Sequence, residues 1–233
     1  MSNITEIFSS IQGEGIYIGK RQIFIRFAGC NINCNYCDTL TSKNPDQGTN
    51  YTVEELSEKI EELKTSDLHS IVFTGGEPLL SSEYIISFLK LNSNYKVMLE
   101  TNGTLPKNMK DLLDYIDIVS LDIKLPEHFN KKSDWEKIFQ NELDTLKLLI
   151  ESKIEVYVKL VVLPETKISS LEEIMIIMKK QISFEDIEII IQPVSPISKW
   201  NGQINNLFNY SECIGKYYSV SVIPQIHPFL NIL

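Results

Sequence analysis

The stretch Gln22-Ile-Phe-Ile-Arg-Phe-Ala-Gly-Cys-Asn-Ile-Asn-Cys-Asn-Tyr-Cys-Asp-Thr39 decides how the rest of the chain is read. It begins as a short apolar β-rich run, Gln22–Phe27, and passes into a loop holding three of the chain's four cysteines within eight residues. A disulfide framework in a secreted chain would spread its cysteines out, whereas clustering on one loop indicates a metal or cluster site. Three thiolates at C-x3-C-x2-C spacing can reach three corners of a cube, and thiolate is the usual ligand of iron–sulfur clusters. One iron is then left without a nearby protein ligand, and an open coordination position is what a reactive metal centre requires. The alternative is a zinc site completed by Cys213 or a histidine. Zinc ribbons and fingers usually show paired C-x2-C units, and no second pair exists here. Cys213 alone reads as a buried small hydrophobe.

Outward from this loop, short apolar runs alternate with longer amphipathic stretches. Strands are expected at Gln22–Phe27, Ser70–Phe73, Lys96–Glu100, Ile116–Leu121, Glu155–Val161 and Ile187–Ile191, with a last one near Val220–Ile223. Helices are expected at Val53–Thr65, Glu83–Leu91, Asp134–Glu151 and Leu171–Lys180. In the first of these Leu56, Ile60 and Leu63 recur at helical spacing behind a Thr52/Glu55 capping box. Such alternation argues for a parallel sheet with right-handed crossovers. Six units are too few to close an eight-unit barrel, so the expected fold is α/β, a partial (β/α)6 barrel open on one side. The polar, turn-rich stretch 41–52 reads as a surface loop, and no linker divides the chain, so residues 1–233 are taken as a single domain.

With 233 residues, 43% hydrophobic and 23% charged, the chain has an ordinary globular composition. Its net charge of -9 lacks the bulk footprint of a nucleic-acid binder and suits a small-molecule substrate. Residues 1–5 open no signal peptide, and the densest apolar run, Ile174–Met178, is far short of a membrane span, so no membrane partner and a cytoplasmic location are expected.

The loop, with Tyr36 before its last cysteine, resembles the radical S-adenosylmethionine (SAM) superfamily signature. Within that superfamily the chain is similar to the 7-carboxy-7-deazaguanine synthases. The similar stretches are Glu6–Gly15 (EIFSSIQGEG), Phe24–Cys30 (FIRFAGC), Cys37–Thr39 (CDT), Thr74–Pro78 (TGGEP), Glu100–Gly103 (ETNG), Gln192–Ser195 (QPVS) and Gln225–His227 (QIH). The resemblance implies a radical SAM carbon–nitrogen lyase. A 4Fe-4S cluster on Cys30, Cys34 and Cys37 would pass an electron to SAM, and the resulting 5′-deoxyadenosyl radical would abstract hydrogen from 6-carboxy-5,6,7,8-tetrahydropterin. Ring contraction with loss of ammonia would give 7-carboxy-7-deazaguanine, for queuosine or another deazapurine. It also implies Mg2+ on Thr39, a reductant such as flavodoxin or ferredoxin, and a homodimer.

The same resemblance assigns roles, each beside a plainer reading. Residues 4–20 become a substrate-binding segment and 29–39 the cluster loop. Ile11, Gln12, Gly13 and Glu14 form either a substrate contact or a simple turn; the two glycines would let backbone approach a ligand. Arg26 is either a clamp on a substrate carboxylate or half of a surface ion pair. Thr74, His227 and the carboxylate of Leu233 complete the implied substrate set. For SAM the implied contacts are Tyr36, Asp38, Gly76, Glu77, Glu100, Asn102, Ser120, Asp122, Lys124, Gln192 and Ser195. Gly76 and Glu77 sit in an acidic turn at the end of an apolar strand, where α/β barrels carry their active sites. Ser120-Leu-Asp-Ile-Lys124 departs from the family's Ser-Pro-Lys and is closer to glycyl-radical activating enzymes, which supply the alternative function; either Ser120, Asp122 or Lys124 could hold the ligand. His128 reads as a surface residue, and the apolar tail 225–233 is expected to pack.

Overall fold

The computed structural model describes residues 1–129, 132–182 and 186–232. In chain order the elements are β1 (Ser2–Ile11), β2 (Arg21–Phe27), β3 (Thr49–Tyr51), α1 (Val53–Leu63), β4 (Ser70–Gly75), α2 (Ser82–Leu91), β5 (Val97–Thr101), α3 (Pro106–Leu112), β6 (Ile118–Asp122), α4 (Lys132–Glu151), β7 (Glu155–Val162), α5 (Ile168–Gln181), β8 (Glu188–Pro193), α6 (Asn206–Gly215), β9 (Ser219–Val222) and α7 (His227–Leu230). The strands form one sheet in the order β3-β1-β2-β4-β5-β6-β7-β8-β9. From β2 onward every pairing is parallel, and β1 runs antiparallel to both β2 and β3. β2 and β4 to β8 are the six strands expected of the partial barrel. Thr52 and Glu55 cap α1 reciprocally, at 3.2 and 2.8 Å, and Leu56 and Ile60 bury its inner stripe.

Strand alternation explains where the site lies. Phe24, Val72, Met98, Ile118, Tyr157 and Ile190, one from each of the six strands, pack together as an apolar layer on the inner face. Two residues further along the same strands come Arg26, Thr74, Glu100, Ser120, Lys159 and Gln192, all polar. The residues between them, such as Ile25, Phe73, Leu99 and Val119, point the other way into the main core beneath the helices. The barrel therefore has an apolar floor and a polar layer above it, at the carboxyl ends of the strands.

Three expectations need correction. The first strand of the chain is β1, not Gln22–Phe27; its half-buried, weakly alternating sequence carries little signal until β2 supplies a partner. The stretch 41–52 is not one loop, because residues 49–51 pair with Ser2, Asn3 and Ile4 as β3. The tail packs only at its start. The Ile226 amide donates to the Gly13 carbonyl at 3.0 Å, whereas Phe229 and Leu230 are exposed.

The β1–β2 connection departs from the sheet edge and crosses the inner face. Its neck is closed by Gln12 N–H to the Lys20 carbonyl (2.8 Å) and Gly19 N–H to the Gln12 carbonyl (2.9 Å). Its tip reaches β7, where Gly15 lies under the Tyr157 hydroxyl, Tyr17 donates to Glu155, and Glu14 meets Lys159. At a φ of +62°, and with Tyr157 against it, position 15 has no room for a side chain.

Candidate active site

A cavity of about 240 Å³ opens above the polar layer. Cys30, Cys34 and Cys37 all line it, and none is in a disulfide. The loop carrying them is anchored on several sides. The Gly29 amide donates to the Ser42 carbonyl and the Glu77 amide to the Gly29 carbonyl, both at 2.8 Å. Gly76 is needed for that approach, since a Cβ there would run into the carbonyls of Gly29 and Ser42. Asn102 donates to Asn31 (3.1 Å), and Asn31 to Thr104 (2.7 Å). Lys43 donates to Asn33 (2.8 Å) and to the Cys34 carbonyl (3.1 Å).

On the far side, Asn35 is held by the carbonyls of Glu127 (2.9 Å) and His128 (3.2 Å), and the His128 ring meets Tyr36 edge-on at 4.3 Å. This overturns the surface reading of His128, which is fully buried, with Nδ1 accepting the Leu125 amide at 3.0 Å. Burial, with Lys124 nearby, pushes its pKa down to about 3, so the imidazole is neutral. No periodicity marks this residue, because it sits in a short turn, Pro126–His128, rather than in a regular element.

One wall is organised by Lys124, whose ammonium donates to Asp122 (2.6 Å) and to the Tyr36 hydroxyl (2.9 Å). Its backbone amide is gripped by both oxygens of Glu142 at 3.2 Å, and its carbonyl accepts from the Trp135 indole at 2.7 Å. Burial alone would discharge this lysine; Asp122, Tyr36 and Cys34 together outweigh burial and hold its pKa well above the ordinary value. The second oxygen of Asp122 is buried without a partner, an acceptor left over for a hydroxyl-bearing ligand. All three candidates, Ser120, Asp122 and Lys124, line the cavity.

The next part of the lining is organised by Glu14, whose partner Lys159 is the register neighbour of Asp122 on β7. Lys159 donates to its Oε2 and Gln225 to its Oε1, each at 2.6 Å. Burial pushes the Glu14 carboxyl up, but Lys159, then Gln225 and His227, bring it down to about 2. Gln225 also donates to Asp38 (3.1 Å) and accepts from Ser195. Gln12 has its amide engaged with Gln22 and Glu100, at 2.9 Å each, and with the Glu14 amide at 3.0 Å, so it braces this wall from within. Thr74 donates to the other Glu100 oxygen at 2.9 Å. Arg26 lines the cavity and is ion-paired with Glu6 at 2.6 Å.

Ile11, Gly13, Thr39 and His227 complete the expected residues brought onto the lining. Glu77, Gln192 and Ser195 do not line it. Glu77 is buried beneath, its carboxylate taking hydrogen bonds from Thr101 (2.6 Å), the Asn102 amide (2.8 Å) and the Leu79 amide (2.9 Å), and burial raises its pKa to about 7. Gln192 is buried with its Oε1 unpartnered, and Ser195 faces a smaller apolar pocket beside Gln225. Leu233 lies outside the described residues. Among the lining residues absent from the expectation are Lys159, Gln225, Lys43 and Phe8. Lys159 did carry a signal, a lone charge inside the apolar run Glu155–Val162.

The donor set fits an iron–sulfur cluster. Burial raises the Cys34 thiol to about 11 and the Cys30 thiol also upward, so these sulfurs ionise readily only when a metal replaces the proton. The fourth cysteine is not available to them: Cys213 is buried on α6, with its sulfur 4.0 Å from the Ile168 carbonyl. Zinc completed by Cys213 is thereby removed.

The Radical SAM superfamily matches residues 24–176 of the chain. A 7-carboxy-7-deazaguanine synthase of Methanothermobacter thermautotrophicus is 42% identical over 98% of this chain and 97% of that protein. Synthases of the same name from Methanocaldococcus jannaschii and Geobacter sulfurreducens are 40% and 30% identical, covering 99% of this chain and 100% and 97% of their own lengths. QueE from Escherichia coli superposes with a TM-score of 0.59 at 19% identity, over 95% of this chain and 93% of that one. anSMEcpe with bound AdoMet gives 0.58 at 20% identity, over 83% and 58%. At those identities the two structures speak for the shared fold.

Proposed function

The chain belongs to the radical SAM superfamily and, within it, to the 7-carboxy-7-deazaguanine synthases, and from that membership we propose how its cavity works. It is a radical SAM enzyme that acts on a small molecule and requires a reductant. In our reading the substrate is 6-carboxy-5,6,7,8-tetrahydropterin, and the product is 7-carboxy-7-deazaguanine, formed by ring contraction with loss of ammonia in a lyase reaction. When bound, the 4Fe-4S cluster and SAM supply a carbon-centred radical that removes a hydrogen atom from the substrate.

Cys30, Cys34 and Cys37 hold the cluster. Lys124 and the free oxygen of Asp122 orient the cofactor, with Ser120, Asn102, Glu100, Tyr36, Asp38 and the Gly76 backbone around it. Glu77, Gln192 and Ser195 act from behind the lining. Glu14, Arg26, Thr74 and His227 receive the pterin, and Arg26 turns from Glu6 to the substrate carboxylate. Thr39 offers a hydroxyl to Mg2+, a hard cation that accepts oxygen ligands together with the substrate carboxylate and water. We take residues 1–233 as one catalytic domain, acting as a homodimer in the cytoplasm with a flavodoxin or ferredoxin as electron donor. No helix among the described residues is long and apolar enough to cross a membrane.

The observation that carries this reading is one cavity whose lining holds all three thiols together with Glu14 and Arg26. The test is anaerobic incubation of the reconstituted protein with reductant, SAM and the pterin. Formation of the deazaguanine is expected. Cleavage of SAM without that product would return the activating-enzyme alternative.

A further inference from the structure

Resting on that reading, and going one residue beyond it, we propose that Lys159, seconded by Gln225, is a positioning residue that fixes the Glu14 carboxylate as a charged acceptor for a ligand edge carrying two adjacent N–H donors. Three observations support it. First, Lys159 and Gln225 each take one oxygen of Glu14, both at 2.6 Å, which leaves the carboxylate no freedom to rotate about its last bond. Second, the pair lies in the lining of the cavity, with side chains only 11% and 18% exposed, so its geometry is not blurred by solvent. Third, each carboxylate oxygen has a second lone pair, and the amides of Gln12 and Gln225 around it are already engaged. The acceptor capacity that remains belongs to Glu14, and it matches the paired N–H groups of a 2-amino-4-oxopyrimidine ring. A lysine two residues above the apolar floor on β7 has no other carboxylate at hydrogen-bond distance among the described residues.

The charged surroundings of Glu14 are Lys159 from β7 and His227 from α7, with the Tyr157 phenol on β7 also close by. Lys159 itself also faces Asp122 and Glu100 from β6 and β5. Without the lysine, burial loses its main counterweight and the Glu14 carboxyl moves upward from where the fold now holds it. That gives the proposal a signature that loss of packing does not share.

The test is calorimetric titration of the reconstituted holoenzyme, with SAM present, by the pterin between pH 6 and 9. Wild-type affinity is expected to be flat with pH. In K159M it is expected to fall about 10- to 100-fold at neutral pH, the range for a lost charge-assisted hydrogen bond, and to recover partly as pH rises and Glu14 ionises. K159R keeps the charge and should stay close to wild type. E14Q, which imitates the protonated acid, should match K159M at pH 6. SAM affinity should not change in any of them. A flat profile in K159M at wild-type affinity, or a loss confined to SAM binding, overturns the inference and leaves the proposed function standing. Failure of the wild-type protein to bind the pterin removes both. Should K159M not fold, K159Q, which keeps a hydrogen-bond donor on β7 but removes the charge, must still weaken the pterin and spare SAM; a K159Q with wild-type pterin affinity then overturns the proposal.

Discussion

Each wall of the cavity is centred on a buried lysine paired with a carboxylate at 2.6 Å, and the two pairs differ in where the partner comes from. Lys124 and Asp122 are two residues apart at the end of one strand, so the pair forms as soon as β6 ends where it does. Lys159 and Glu14 are 145 residues apart and meet only when the β1–β2 connection has crossed the barrel. The first pair is thus local to one strand end, whereas the second waits on the whole fold. A local pair costs little ordering beyond that of its own strand, whereas a distant one adds the cost of closing a long loop.

Four perturbations separate the walls. The largest effect is expected from C30A, C34A or C37A. Each should lose bound iron and bring reductive SAM cleavage to background, measured by iron assay and by chromatography of 5′-deoxyadenosine, while the pterin still binds beside Glu14. Parallel loss of pterin binding would show that the walls are not separable. K124M comes next. Stranding Asp122 and releasing Tyr36 should cost about 3–5 kcal/mol in urea unfolding of the apoprotein, the range for breaking a buried pair.

Third is the acid limb. Glu14 has its pKa depressed from 4.5 to about 2 by the fold, so its contribution is fully present above pH 4.5 and is lost as pH falls from there toward 2. That window is worth about 3 kcal/mol, and E14Q should flatten it in a pH series of thermal melts. An acid limb identical in E14Q and wild type would remove the long-range pair from the stability account. The smallest is G15A. A methyl against Tyr157 at a left-handed backbone position should cost about 2 kcal/mol and weaken the pterin without touching SAM cleavage.

The same division governs what could be read from the sequence. Cys30, Cys34, Cys37 and the Gly-Gly-Glu turn lie in contiguous runs whose chemistry is visible before any folding is considered. The capping box at Thr52 and Glu55 is equally local. Lys159, Gln225 and His128 belong to the site only through partners distant in sequence, so local patterns could not assign them. β1 is illegible for a related reason: it is held by its ladder with β2, which the residues of β1 do not encode alone. Glu77 shows the converse. Its motif was conspicuous, but three hydrogen bonds turn its carboxylate under the lining.

The crossing of the β1–β2 connection has a consequence for traffic through the enzyme. The inner face of the sheet is crossed by a hairpin tip attached through side chains and single amides. Withdrawing the tip would break the Glu14 and Tyr17 contacts and the Gly13–Ile226 link, yet leave every rung of the sheet intact. Such an excursion is local: it gives up the buried Glu14–Lys159 pair but opens no strand. A molecule seated against Glu14 therefore bolts the door behind which it reacts.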